Sequence, residues 1–234
     1  MEIKLRTIVV GDIHGCLDEF NDLLEKIEYN RQSDRLILLG DLIDRGPYSV
    51  EVVQKAREME LECLMGNHEL SFLKWLRSNK KVYDAKKHYT ELSDADINYI
   101  AQMPHYIKVN DTILVHAGLR AGKSLENQKK DDCLYLRYTD INGEFISIRK
   151  VHELGKEAAG AYFWTEFWKG PESVVYGHNV HSFDSPKIEE VAPNVTCYGI
   201  DTGCCFGGSL SALILETKQI VQVSARRTYY QSNY

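Results

Sequence analysis

"LILLGDLIDRGPYS", Leu36 to Ser49, runs from a purely apolar segment straight into Gly40-Asp41, and then sets Asp44 and Arg45 ahead of Gly46. The apolar half has the length of a buried strand bounded by glycine. The acidic half follows with no spacer. A desolvated carboxylate cluster is costly unless something positive compensates it. Either this is an exposed turn or the charges have a partner.

The same arrangement recurs along the chain. Thr7-Ile8-Val9-Val10 leads into Gly11-Asp12-Ile13-His14-Gly15, and Leu61 to Met65 leads into Gly66-Asn67-His68-Glu69. Thr112 to Val115 leads into His116-Ala117-Gly118, and Val174 to Tyr176 into Gly177-His178. Five strand ends of this kind in one chain are not independent turns. Between them, Leu17 to Ile27 carries apolar residues at 17, 20, 23, 24 and 27, a helical spacing. Ser49 to Met59 reads as a second helix with Ser49 as its N-cap. Strands alternating with helices define an α/β chain. Such sheets gather ligand-binding loops at the carboxyl ends of their strands.

Length and composition bound the rest. The 234 residues, 44% hydrophobic, suffice for one well-packed domain. We expect it to span 1–225, with a helical insertion at about 70–105 lying over the site and a loose C-terminal tail at 226–234. Within the insertion, Asp94 to Met103 reads as a short helix before Pro104. Residues 119–170 read as a second irregular connection, and Thr196 to Val223 as further strands. The net charge of −6 argues against a general DNA-binding surface. No apolar run has membrane-spanning length, and the N-terminus has no signal-peptide pattern. The six cysteines show no CxxC spacing, so small buried hydrophobes in a reducing, cytoplasmic compartment are expected.

The polar residues at the strand ends, Asp12, His14, Asp41, Asn67, His116 and His178, are all metal-ligand types. Mixed imidazole and oxygen donors suit manganese, iron or zinc better than an all-oxygen calcium or magnesium cage. Six ligands exceed one tetrahedral zinc and fit two divalent ions sharing a carboxylate, roughly 3.5–4 Å apart. Asp41 is the candidate bridge. The acidic stretch is then tolerated because cations neutralise it.

The ordered set "GDIHG", "GDLIDRG", "GNHE", "VHAG" and "YGH" resembles the signature of the phosphoprotein-phosphatase branch of the calcineurin-like metallophosphoesterases. The resemblance implies a β-sandwich flanked by helices, layered α/β/β/α, around a dinuclear centre. It places Asp12 and His14 on one ion, Asp41 between the two, and Asn67, His116 and His178 on the other. Manganese is the expected metal, with iron, zinc, nickel or cobalt as alternatives. Arg45 would grip phosphate, His68 would protonate the leaving group, and Asp44 would hold the His68 imidazole. "LYLRYTD" makes Arg137 the second phosphate arginine. Val180 stands where broader metallophosphoesterases carry the second histidine of GHxH, which favours the phosphatase branch over nucleases. His88, His105, His152 and His181 are expected to take no part.

"DRGPYSVEVV", "VHAGLRAGKSLENQ" and "GIDTGCCFGGSLSALIL" are similar to the diadenosine-tetraphosphatase (ApaH-like) phosphatases. They imply a nucleotide substrate, a dinucleoside polyphosphate or a capped RNA, with a phosphoprotein as the alternative. Asp201 and Gly203 would support the His178 loop. Lys74, Arg77, Lys80, Lys81, Lys86 and Lys87 are candidate charges for a polyphosphate chain, and Trp75, Tyr83, Tyr89 and Tyr138 candidate platforms for bases. A catalytically inert phosphate-binding module is the third reading. It is disfavoured because no ligand, arginine or acid position is missing.

Overall fold

A computed structural model of the chain describes residues 6–78, 89 and 91–231. Three strands, β1 (Arg6–Val10), β2 (Asp34–Leu38) and β3 (Glu62–Cys63), lie side by side in parallel, with Val10 opposite Leu38 and Leu38 opposite Cys63. Their carboxyl ends therefore finish on one edge, and the three glycine-led loops emerge together. The crossovers are α1 (Leu17–Lys26) and α2 (Ser49–Glu58). Helix α3 (Asn67–Arg77) follows β3 directly, and α4 (Asp94–Ala101) packs on α2.

A second set of strands repeats the device. β4 (Tyr106–Val109) and β5 (Thr112–Val115) form a hairpin, the small sheet strands β6 (Tyr138–Thr139), β7 (Phe145–Ile146) and β8 (Tyr162–Phe163) come next, and then β9 (Ser173–Tyr176) pairs parallel to β5, with Val115 opposite Tyr176. β10 (Lys187–Ala192), β11 (Val195–Gly199), β12 (Ser209–Ile214) and β13 (Gln219–Ser224) complete two five-stranded sheets, ordered β13-β12-β1-β2-β3 and β10-β11-β9-β5-β4.

The two sheets stack face to face, as the period-two alternation of their side chains requires. Val9, Ile37, Leu39 and Leu213 of the first sheet meet Leu114, Val175, Tyr198 and Ile200 of the second in a buried inner layer. The alternate residues Ile8, Val10, Leu36 and Leu38 face outward onto Phe20 and Leu23 of α1, Val52 and Val53 of α2, and Phe72 of α3. Outside the second sheet, Ile113, Val115, Val174 and Tyr176 pack on Leu119, Leu136, Trp164 and Trp168. The layering is α/β/β/α as expected, but the fourth layer is short: α5 (Lys130–Tyr135), α6 (Ile148–Leu154) and the small sheet.

Residues 119–170 are accordingly less irregular than their sequence suggests. Buried Arg120 makes a two-pronged pair with Asp132 at the start of α5, 2.6 and 3.1 Å, tying the loop after β5 to that helix. Removing one partner of such a pair typically costs about 3–5 kcal/mol. In the aromatic run 162–168, Phe163, Trp164 and Trp168 are buried while Tyr162 is exposed, and the run forms a short strand and a 3₁₀ turn although its aromatics recur at near-helical spacing. Ser93 caps α4 by accepting the Asp96 amide at 3.2 Å.

Two local expectations are corrected. Ser49 is the first residue of α2, with Tyr48 at the cap, and its hydroxyl accepts the Asp44 amide at 3.0 Å instead. The described part of the C-terminal tail is docked: Tyr229 Oη and the Arg226 amide both donate to buried Glu19 of α1 (2.7 and 2.8 Å), and the Tyr229 and Tyr230 amides donate to Cys205 O. Among the described residues no helix is long and apolar enough to cross a membrane.

Candidate metal centre

The parallel strands deliver Asp12 and His14 from the β1 loop, Asp41 from the β2 loop, Asn67 from the start of α3, His116 after β5 and His178 after β9. The side chains converge on Asp41, which is 2% exposed. Its Oδ2 lies 3.4 Å from His116 Nε2, 3.5 Å from His14 Nε2 and 3.9 Å from His68 Nε2. Its Oδ1 accepts the His68 amide at 3.0 Å. Two groups of donors able to hold a cation share this carboxylate: His14, Asp41 and His68, and Asp41, His116 and His178. Asn67 Oδ1 stands 3.0 Å from His116 Nε2, beside the second group. Asp12 lies outside both tight groups. It is buried and its carboxylate accepts the His178 amide at 3.1–3.2 Å.

The hydrogens of two imidazoles can be placed from their partners. His14 Nδ1 faces Ile43 O at 2.8 Å and His116 Nδ1 faces Leu39 O at 2.9 Å. A carbonyl can only accept, so each Nδ1 carries a hydrogen and each Nε2 faces the centre, where loss of any second proton leaves a lone pair for a metal. His178 Nε2 is buried and has no hydrogen-bond partner among the described residues.

The electrostatics also call for cations. Burial, and after it the charge of Asp201, pushes Asp12 well above the usual carboxylate range. Burial would lower His116, yet the charge and hydrogen bond of Asp41 outweigh it and raise this imidazole to about 9. Burial takes His14 down to about 3, and burial with Arg137 holds His178 far below its ordinary value. The acidic centre thus draws positive charge onto His116, and onto His68 beside it. The unpartnered His178 nitrogen, the inward-facing imidazole Nε2 atoms and excess buried acid all fit a bound divalent metal.

Backbone strain concentrates in the same loops. His14, Asp41, Asp44, Arg45 and His178 have φ of 47°, 51°, 68°, 72° and 63°. Such conformations cost non-glycine residues about 1–3 kcal/mol each and persist only where the surroundings enforce them.

Around the ligands, Asp44 Oδ2 meets His68 Nδ1 at 2.5 Å. Arg45 Nη1 donates to His14 Nε2 at 2.6 Å and its guanidinium lies 4.9 Å from the Phe206 ring centre. Arg137 Nη2 donates to His178 O at 2.9 Å. Asp201 is buried and accepts the Gly203 amide at 3.0 Å. His181 contacts the Tyr176 hydroxyl and the Phe163 ring, apart from both donor groups. His105 Nδ1 is buried without a partner among the described residues.

The proposed base platforms mostly pack elsewhere. Trp75 stacks on Phe72, Tyr138 meets Phe163 edge-to-face, and Tyr89 is only 2% exposed. Lys74 and Arg77 are exposed on α3. Tyr83, Lys80, Lys81, Lys86, Lys87 and His88 lie outside the described residues. All six cysteines are free and buried.

Matching residues 5–208, the chain belongs to the calcineurin-like phosphoesterase family, a class of metal-dependent phosphohydrolases. It is 27% identical, over 97% of its length and 95% of the relative's, to the asymmetrical bis(5'-nucleosyl)-tetraphosphatase PrpE of Oceanobacillus iheyensis. It is 28% identical over 92% of its length, and 90% of the relative's, to the symmetrical bis(5'-nucleosyl)-tetraphosphatase of Yersinia enterocolitica. It superposes with a TM-score of 0.80, at 27% identity and over 96% of this chain and 95% of the other, on a crystal structure provisionally described as a diadenosine tetraphosphatase. A yeast protein serine/threonine phosphatase with similarity to human PP5 shares the fold, with a TM-score of 0.64 at 16% identity.

Sequence reasoning passed over Glu69. Its buried carboxylate accepts the amides of Asp41 (2.8 Å), Leu42 (2.8 Å), Ile43 (3.3 Å) and Gly66 (3.0 Å), clamping the two acidic loops together. Its place three residues past the Gly66 cap, the acidic position of a capping box, was the available signal. Glu69→Gln would turn an amide NH2 toward these donors. We expect a loss of about 1–3 kcal/mol in urea denaturation. Turnover should fall about tenfold, or ~1.4 kcal/mol. Unchanged stability would show that the clamp is not needed.

Proposed function

We propose that this chain hydrolyses nucleoside polyphosphates, with dinucleoside tetraphosphates as the leading substrate and two divalent cations, manganese foremost, as cofactors. The observation that carries the reading is Asp41 shared between two histidine-rich donor groups, with the Arg45 fork against one of them. The relatives named bis(5'-nucleosyl)-tetraphosphatase, matched over almost their whole length, support the substrate class.

In this reading Asp12, His14 and Asp41 hold one cation, and Asp41, Asn67, His116 and His178 the other. Bound there, the pair supplies an acidified water and neutralises phosphate charge. The protein's own residues do the rest. Arg45 and Arg137 grip the phosphate oxygens, a task for which the guanidinium fork is matched. His68 Nδ1 donates its hydrogen to Asp44 Oδ2, which leaves Nε2 free to protonate the departing oxygen. Burial opposes the charged form of His68, but Asp41 and the Asp44 hydrogen bond raise its pKa overall, so it holds a proton to give. The free, buried cysteines suit a reducing cytoplasm.

The test is a direct competition. Manganese-loaded protein is offered diadenosine tetraphosphate, a capped RNA and a phosphoserine peptide at equal concentration, and products are resolved by chromatography. Nucleotide products formed far faster than free phosphate from peptide are expected. Their identity, two ADP or AMP with ATP, reads the cleavage position. Faster peptide dephosphorylation would overturn the substrate assignment in favour of a protein phosphatase.

A further inference from the structure

Asp44 is held on every side. Its φ of 68° sets the turn, and its amide donates to Ser49 Oγ at 3.0 Å. Its two carboxylate oxygens are divided: Oδ2 faces His68 Nδ1, and Oδ1 accepts the hydroxyl of Tyr89. Tyr89 comes from the stretch between α3 and α4, 45 residues further along the chain. Its ring is buried and lies 5.2 Å from the Phe72 ring, tilted by 54°, so the hydroxyl is aimed by core packing rather than by a mobile stem. Burial, and then the charge of Asp44, push the Tyr89 hydroxyl far above its ordinary pKa, so it stays a donor.

We propose that Tyr89 is a positioning residue for catalysis: it locks the Asp44 carboxylate so that Asp44 holds the His68 imidazole with Nε2 toward the leaving-group oxygen. The proposal rests on the reading of His68 as general acid. Its physical basis is geometric. A carboxylate bonded through one oxygen can swing about its Cβ–Cγ bond, and the imidazole swings with it. A carboxylate bonded through both oxygens, on a pinned backbone, cannot. Catalytic groups lose efficiency steeply when misplaced by about an ångström. The insertion would then serve the site by bracing it from behind, rather than by stacking a nucleobase with this tyrosine.

The test separates positioning of an acid from general support of the fold. Tyr89→Phe removes one oxygen and keeps the ring on Phe72. kcat/KM is measured for p-nitrophenyl phosphate, whose leaving group departs without a proton, and for phenyl phosphate, which needs one. We expect Tyr89→Phe to lose about tenfold on phenyl phosphate and less than about twofold on p-nitrophenyl phosphate, a fraction of what a general acid supplies. His68→Asn is the reference and should show the same selectivity, more strongly. In an Asp44→Asn background, Tyr89→Phe should cost nothing further, because its effect runs through Asp44. Equal losses on both esters, no loss, or an additive loss in the Asp44→Asn background would overturn the proposal while leaving His68 as the acid. An unselective His68→Asn would overturn the acid assignment and this proposal with it.

Discussion

Asp41→Asn is expected to abolish the paired metal centre and lower turnover at least about a thousandfold, ~4 kcal/mol of transition-state stabilisation. The change is nearly isosteric, so what is lost is charge and one acceptor. Three imidazole nitrogens surround Asp41 Oδ2 within 3.9 Å, and the other oxygen accepts the His68 amide. Burial works against ionisation of Asp41, yet His116 and then His68 outweigh it and keep the carboxyl well below its usual range. An asparagine amide facing those nitrogens offers no charge to share between two cations. Metal analysis should fall from two ions per chain toward one or none. Manganese at a hundred times its Kd stabilises a protein by about 2.7 kcal/mol, and this metal-dependent rise in melting temperature should largely vanish. Near-wild-type turnover would sink the site.

The gathering of the strand-end residues at one place was legible because it depends on local pattern and one topological rule. A strand that stops at glycine announces its own end, and parallel pairing brings Val10, Leu38 and Cys63 to the same edge. Residues whose role is set by distant packing were not legible in this way. Tyr89 reads as an aromatic in a lysine-rich stretch, and only its contact with Phe72 turns its hydroxyl onto Asp44. Glu69 reads as one more acid in "GNHE", although it binds four backbone amides and no ligand side chain. Residues 226–230 look like a polar terminus, yet they dock because buried Glu19 and Cys205 O offer acceptors that composition cannot reveal. The fourth layer escaped for a related reason: strands of two residues carry too little periodicity to register against a helical spacing of aromatics.

Gly177→Ala is the second large effect, expected to weaken metal binding about 10–100-fold through a residue that is not a ligand, the range seen when a ligand's supporting partner is removed. The glycine follows β9, and its amide donates to His116 O at 2.9 Å. A Cβ there would sit 2.1 Å from Asp12 Oδ1 and 3.2 Å from Asp12 Cγ. Left-handed backbone does not explain this glycine, because the positive φ falls on His178 next to it. The need is for space: the Asp12 carboxylate fills the place of the side chain. An alanine must push that carboxylate aside, breaking its bonds to the His178 amide. Because the obstacle is a side-chain tip, the fold should survive, with an overpacking cost of about 1–3 kcal/mol. Activity at limiting manganese should drop about a hundredfold, ~2.7 kcal/mol, and recover in part as manganese is raised. That recovery separates a displaced ligand from a damaged core, which no concentration of metal would repair. Calorimetric titration showing wild-type manganese affinity in Gly177→Ala would mean that Asp12 holds no cation, and that the first ion depends on His14 and Asp41 with His68 in its place.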